Sequence, residues 1–330
     1  MVFTLIRTIK SVLKNAKIDL YGKNSFGANE TFNQDPDILN IYSEIPIKKY
    51  DLILSPFLGG SVKFGLKMRL KNWGATIIVH RKNQTGISNI IKVLILKCLK
   101  IKTVEINENK HESWNYLSLL EPLGINTSSY IYNNYFSKEL VSTANNEFKQ
   151  SGVDKKYIAI QLGVANNLTD PRFWPVKNWE SIISDLIKNG NRVLLLGDKN
   201  EKKLGEKIES NNNSSMIINL IGKTTVIQMI GFLNNAELTI GVDSGIAHIS
   251  GALNKNTLVL WGPSIFSKSH PLGKNVNYIN LNMPCAPCMG PSLYSPKEAV
   301  ENCNDNLACM NQITPEKVMM EVKRILSNDK

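Results

Sequence analysis

Four residues in the second half of the chain could do chemistry together: Asp243, Ser244, Gly245 and His248, within the run ELTIGVDSGIAHISGALNKNTLVLWGP of residues 237–263. The run reads as a strand (Leu238–Val242), a tight polar turn, a helix starting near Gly245, and a second strand (Thr257–Trp261). An apolar strand with β-branched residues belongs inside a parallel sheet covered on both faces. Asp243 or Ser244 can cap the helix through a side-chain oxygen. Gly245 removes the Cβ where a ligand or the next backbone comes close, and His248 shares a helix face with Ser244. Free N–H groups, the positive end of a helix, a hydroxyl and an imidazole then meet at the carboxyl edge of a sheet, where phosphates bind. The same residues also suit an ordinary βαβ unit, because D-S-G is common turn chemistry.

Other residues add to that chemistry. Arg172, in the run RFWP, offers a planar donor fork that is always charged; it is either a phosphate ligand or a surface cation packed beside Trp174. Gly197 closes the strand Arg192–Leu196 and would let a nucleotide approach. Glu201 follows it and suits either a ligand role or the negative start of a helix. Four cysteines, Cys285, Cys288, Cys303 and Cys309, give C-x2-C-x14-C-x5-C, a candidate zinc set whose alternative is four free thiols. Disulfides do not suit a reducing cytoplasm.

These residues need sheets to hold them. In the first half, a helix over residues 3–15 precedes strands at Lys17–Tyr21, Asp51–Ser55, Ala75–Val79 and Thr103–Ile106, with a polar loop through Asn40. In the second half, strands at Tyr157–Leu162, Arg192–Leu196 and Met216–Leu220 alternate with helices at Asn178–Lys188 and Thr225–Leu233. A last helix covers Glu316–Leu326. This alternation predicts an α/β protein with mainly parallel sheets. The polar stretch Asn126–Asn145 marks a linker, which divides the chain into residues 1–145 and 146–330. No G-x-G-x-x-G follows any strand and no Walker A motif occurs, which argues against nicotinamide, flavin and P-loop chemistry.

The net charge is +11, and it is uneven. Residues 1–100 hold 16 Lys/Arg against 6 Asp/Glu, while the rest of the chain holds 23 against 22. No acidic residue lies between Asp51 and Glu105, a stretch with ten Lys/Arg. The front half should meet an anionic partner, or else carries a solvated basic face. Nothing suggests a zinc finger or an aromatic RNA-binding motif, so nucleic acid is not expected. Ser88–Ile101, SNIIKVLILKCLKI, places Lys92, Lys97 and Lys100 in one helical sector opposite a broad apolar face. It reads as a core helix with outward lysines, the favoured alternative, or as an interfacial helix at a membrane. No apolar run spans a bilayer and no signal peptide is recognisable, so the chain is expected in the cytoplasm, with possible peripheral contact at the membrane's inner face.

Taken with Gly262-Pro263, the RFWP run and the cysteine-bearing tail, the D-S-G-x-x-H block resembles glycosyltransferase family 9, the ADP-heptose:lipopolysaccharide heptosyltransferases. The resemblance covers most of the chain. It implies the GT-B architecture: two Rossmann-like domains facing a cleft, the first for the acceptor and the second for the nucleotide sugar. It implies an inverting transfer of a sugar, heptose from an ADP-sugar, onto a lipopolysaccharide core or a related anionic, lipid-linked glycan, with no cofactor required. On it, Arg172 and Thr169 contact phosphate, Gly197 and Glu201 lie near the nucleoside, and Asp243, Ser244, Gly245 and His248 hold the diphosphate and sugar. The family's proposed base is an Asp in a first strand and turn. The chain opens on what resembles the family's first helix and second strand, so that strand and its Asp would precede Met1, and a start upstream is expected. No catalytic base is therefore assigned. The alternative is a non-catalytic relative that binds nucleotide sugars and has lost its base.

Overall fold

The computed structural model describes residues 2–22, 28–56, 61–82, 87–127, 135–153, 156–164, 170–290, 293 and 295–327. It divides into two compact units, Met1–Tyr135 and Phe136–Lys330.

In the second unit, continuous apolar runs become strands with every residue buried: β6 (Tyr157–Gln161), β9 (Leu238–Val242) and β10 (Thr257–Trp261). The first unit precedes them in the chain. That unit runs α1 (Val2–Val12), β1 (Ile18–Tyr21), α2 (Ala28–Asn33), β2 (Ile38–Tyr42), β3 (Leu52–Ser55), α3 (Ser61–Lys71), β4 (Thr76–Arg81), α4 (Ile87–Cys98), β5 (Ile101–Glu105) and α5 (Glu112–Ser118). The presumed polar loop before Asn40 thus contains a helix and the start of a strand. The described strands form two parallel sheets, β1–β2 and β3–β4–β5. The Asp19 carboxylate of β1 accepts from Asn40, Lys48 and Tyr50, tying β1 to the segment that leads into β3.

One face of the three-stranded sheet carries α3 and α4. Met68 of α3 and Leu96 of α4 share a cluster with Ile53, Ile77, Val79 and Ile101. At their far ends a single guanidinium joins the two crossovers. Arg69 donates to the carbonyls of Asn72, Trp73 and Ala75 in the turn after α3, and to that of Lys100 in the turn after α4.

The second unit adds α6 (Lys138–Gln150), α7 (Val176–Lys188), β7 (Arg192–Leu196), α8 (Lys202–Asn212), β8 (Ile217–Asn219), α9 (Val226–Asn235), α10 (Gly245–Ala252), α11 (Phe266–Ser269), β11 (Val276–Asn280), α12 (Pro296–Glu301), α13 (Ala308–Asn311) and α14 (Pro315–Ser327). Helix α6 passes through residue 145, where the sequence suggested a boundary. It packs on α9 so closely that a Cβ at Gly231 would lie 2.1 Å from the Ala144 carbonyl oxygen. The polar look of residues 138–145 is the solvent side of an amphipathic helix whose Leu140, Ala144 and Phe148 are buried.

One parallel sheet, in the order β11-β10-β9-β6-β7-β8, organises this unit. Alternate side chains of its strands reach opposite faces. Ile158, Ile160, Val193 and Leu195 pack against α7 and α14, while Tyr157, Ala159, Leu194 and Leu196 pack against Phe148 of α6 and Phe232 and Leu233 of α9. The chain winds from β6 outward through β7 and β8, then returns to start β9 on the other side of β6. The pair β6/β9 is therefore the topological switch point, where crevices open at the strands' carboxyl ends.

Candidate functional site

The carboxyl ends of β6 and β9 carry Gln161 and Asp243, and the site grows from these two positions. Helix α10 leaves β9 directly, with Ser244 as its N-cap residue in extended backbone geometry. Its side chain does not cap the helix. The hydroxyl instead donates to the Gln161 side-chain oxygen across the switch point. The expected cap is thus absent, because the partner strand offers Ser244 a better acceptor. The first-turn N–H groups of α10 keep their positive end without a side-chain cap. By contrast, α9 is closed by a Thr225/Gln228 capping box. Among the described residues a Cβ on Gly245 would meet no atom within 4 Å, so they leave the space before this turn open.

The helix is fixed from below. The Ser250 hydroxyl lies 3.0 Å from that of Thr239 on β9 and 2.7 Å from that of Thr257 on β10, and all three side chains are buried. Close packing of Gly251 against the Leu272 carbonyl holds the same end.

Arg172 reaches the crevice from the other side. Its Nε and Nη2 donate to Asp170, both at 2.9 Å, and its Nη1 donates to the Asp243 carbonyl at 3.2 Å. Among the described residues this engages three of its five N–H groups. Burial opposes its charge, but the bonds and charge of Asp170, followed by the charge of Asp243, raise its pKa above the ordinary value. Trp174 anchors the same loop by donating to the Ile313 carbonyl at 2.9 Å. Arg172 is therefore a positioned cation and no mere surface neighbour of Trp174.

Asp243 is buried, and burial raises its carboxyl pKa against the pull of Ser264 and Arg172. His248 Nε2 stands 3.9 Å from its Oδ1, which brings the D-S-G-x-x-H residues into one neighbourhood. Gln161 and Asp170 were not singled out from the sequence. Each becomes recognisable only when β6 and β9 are known to be neighbours. Thr169 lies outside the described residues.

Next along the sheet edge, Gly197 follows β7 and Glu201 folds back beneath it. The Asp198 N–H donates to Glu201 Oε2 at 3.0 Å in a capping box. A Cβ on Gly197 would sit 2.6 Å from that oxygen, so the glycine accommodates Glu201, not a ligand directly. Oε1 turns toward the Gly163 N–H without reaching full hydrogen-bond geometry. Burial pushes this carboxyl up to about 7, the charge of Asp198 adding to it.

The cysteines gather near Gly262-Pro263 at the end of β10. The Cys288 N–H donates to the Pro263 carbonyl at 3.0 Å, and Cys309 Sγ would lie 3.3 Å from a Cβ on Gly262. Burial, with the charges of Cys288, Cys285 and Cys303, raises the Cys309 thiol to about 11. Their orientations differ: the Cys303 sulfur accepts from the Leu307 N–H, and Cys285 bonds Asp305. Among the described residues no group of three or more His, Cys, Asp or Glu side chains is placed to hold a metal ion.

Comparisons with known proteins identify the family and the fold. Residues 80–296, more than half of the chain, match the family described as Glycosyltransferase family 9 (heptosyltransferase). The chain is 24% identical over 332 residues to lipooligosaccharide heptosyltransferase 2 of Campylobacter jejuni subsp. jejuni serotype O:2, covering 97% of this chain and 92% of that one. It is 29% identical to the Haemophilus ducreyi protein of the same name, over 47% of this chain and 43% of the relative. That match spans less than half of the relative's length. Among solved structures, an Escherichia coli heptosyltransferase with ADP superposes with a TM-score of 0.68 at 16% identity, covering 98% and 96% of the two chains. The Escherichia coli ADP-heptose lps heptosyltransferase II gives 0.62 at 17%, covering 99% and 94%. The fold is the GT-B class expected, with two Rossmann-like α/β units. The matched residues 80–296 include this switch point, and the chain belongs to glycosyltransferase family 9, the heptosyltransferases.

Proposed function

We propose that the chain transfers heptose from an ADP-sugar to a lipopolysaccharide core or a related surface glycan, with inversion and without a metal. The observation that carries this reading is the bridge across the β6/β9 switch point, where Arg172 and the uncapped start of α10 converge. Negative charge builds on the departing diphosphate during sugar transfer, and fixed donors aimed at that charge lower the barrier. The first-turn N–H groups of α10 and the remaining N–H groups of Arg172 supply such donors. Asp170 holds the guanidinium in position, so little reorganisation is needed when the diphosphate arrives. His248 sits one turn into the helix, where it can donate to a phosphate or sugar oxygen. Thr169 joins this set as a hydroxyl donor, and Glu201, with one oxygen short of a full partner, accepts from ribose hydroxyls. The similar Escherichia coli structures, a heptosyltransferase with ADP and an ADP-heptose lps heptosyltransferase, support adenine as the base. The basic first unit suits an anionic glycan acceptor.

Calorimetric titration with ADP, UDP, GDP and CDP tests the reading. ADP should bind best, and both Arg172→Ala and Ser244→Ala should weaken it. If another nucleotide wins, the heptose assignment goes; if none binds, α10 is only a well-packed helix.

A further inference from the structure

Helix α4 is turned the opposite way from a core helix. At about 100° per residue, Ile90, Ile91, Leu94 and Ile95 fall on one continuous arc. The structure leaves these four side chains 60%, 51%, 55% and 46% exposed, while Leu96 is 2% exposed against the sheet. The sheet is served by the narrow strip of Leu96 and, just after the helix, the half-buried Leu99. Lys92 and Lys97, both exposed, stand on the two borders of the outward arc. The favoured expectation, a buried apolar face with lysines pointing to water, is therefore corrected. The three-stranded sheet needs only a thin strip of α4, and the broader apolar face is left to solvent.

More apolar surface adjoins it. Leu70, at 81% exposure, and Trp73, at 74%, lie at the end of α3. The Arg69 guanidinium bonds the Trp73 carbonyl and the Lys100 carbonyl together, which keeps this end beside the end of α4. Around the patch lies the stretch from Asp51 to Glu105, with ten Lys/Arg and no acidic residue between its ends. Isoleucine and leucine in the middle, tryptophan at one end and lysines along both borders suit a surface that is apolar below and anionic above. A soluble protein partner would also cover apolar area, but it would not call for an acid-free surround of this length.

From this we infer that α4 and the end of α3 form a docking face for an anionic phospholipid surface, with the isoleucines and Leu94 among the acyl chains and Lys92, Lys97 and Lys100 among the phosphates. This does not depend on the donor-site reading. It is tested by flotation of the full chain with glycan-free vesicles of phosphatidylethanolamine and phosphatidylglycerol, against phosphatidylcholine alone, without nucleotide. The chain should float with the phosphatidylglycerol vesicles only and be released by salt. Ile91→Glu with Leu94→Glu should cut its partition at least about tenfold, as should Lys92→Glu with Lys97→Glu. ADP titration and thermal melting of each variant should be unchanged. The lysine pair, which packs against nothing in the core, decides the matter if the first pair misfolds. The inference is overturned if the parent chain stays down with phosphatidylglycerol, or if both variant pairs float as the parent does. It is equally overturned if sedimentation shows a dimer of the parent that Leu94→Glu dissolves while the parent ignores vesicles.

Discussion

The two units use the same building plan and enclose their apolar residues very differently. In the second, β6, β9 and β10 are buried at every residue, and helices cover both faces of a six-stranded sheet. In the first, the described strands split into sheets of two and three, and none is buried throughout. Of the fourteen large apolar side chains left exposed among the described residues, eleven belong to the first unit. The difference separates a unit whose sheet is enclosed on both faces from one that leaves apolar and basic surface exposed.

Deleting side chains should expose this contrast most sharply. Leu195→Ala, at a fully buried position of β7, should cost about 2–5 kcal/mol by loss of transfer energy and creation of a cavity. Leu94→Ala, on the outward arc of α4, should stay within about 0.5 kcal/mol. Urea unfolding of both variants measures the gap, and equal costs would mean that α4 is packed after all. Next in size, Arg172→Ala should weaken ADP by roughly 2 kcal/mol, about thirtyfold, since hydrogen bonds to charged groups carry about 1.5–3 kcal/mol. It should also leave Asp170 and Asp243 without their cation. Arg69→Ala, the corresponding clasp in the first unit, should lower stability and leave nucleotide affinity alone. An ADP defect there would dissolve the division of labour.

A further effect concerns pH. Glu201 has a folded-state pKa of about 7 against an ordinary 4.5. Between those values the folded chain holds a proton that the unfolded chain has released, so stability should fall as pH rises from about 4.5 to 7 and level off above. Glu201→Gln should flatten that slope. Urea midpoints taken across the range would show it, and an unchanged slope would assign it to another group.

Much of this architecture was legible because a doubly covered parallel sheet leaves a plain signature. The strands at Tyr157, Arg192, Leu238 and Thr257 are uninterrupted apolar runs, and the D-S-G turn between the last two could only lie at a sheet edge. Short strands gave less. Ile38–Tyr42 carries Asn40 in its middle, which bonds Asp19 on the neighbouring strand, and neither residue signals pairing by itself. Helix α6 was hidden because its wet face dominates its composition. For α4, a helical wheel shows two candidate faces, and only the sheet's choice of Leu96 decides between them. Gln161 and Asp170 act through Ser244 and Arg172, which are distant or differently framed in sequence, so their roles depend on topology.

The three hydroxyls beneath α10 have a consequence for how the site could diversify. Ser250, Thr239 and Thr257 pin the helix at the end away from the D-S-G turn. Its bearing is therefore set independently of the residues at that turn. Substitutions in the D-S-G turn can accumulate without tilting the helix, and a new donor can be explored by changing a few side chains on a mount that stays put. Such a decoupling lets one scaffold be inherited widely while its specificity drifts.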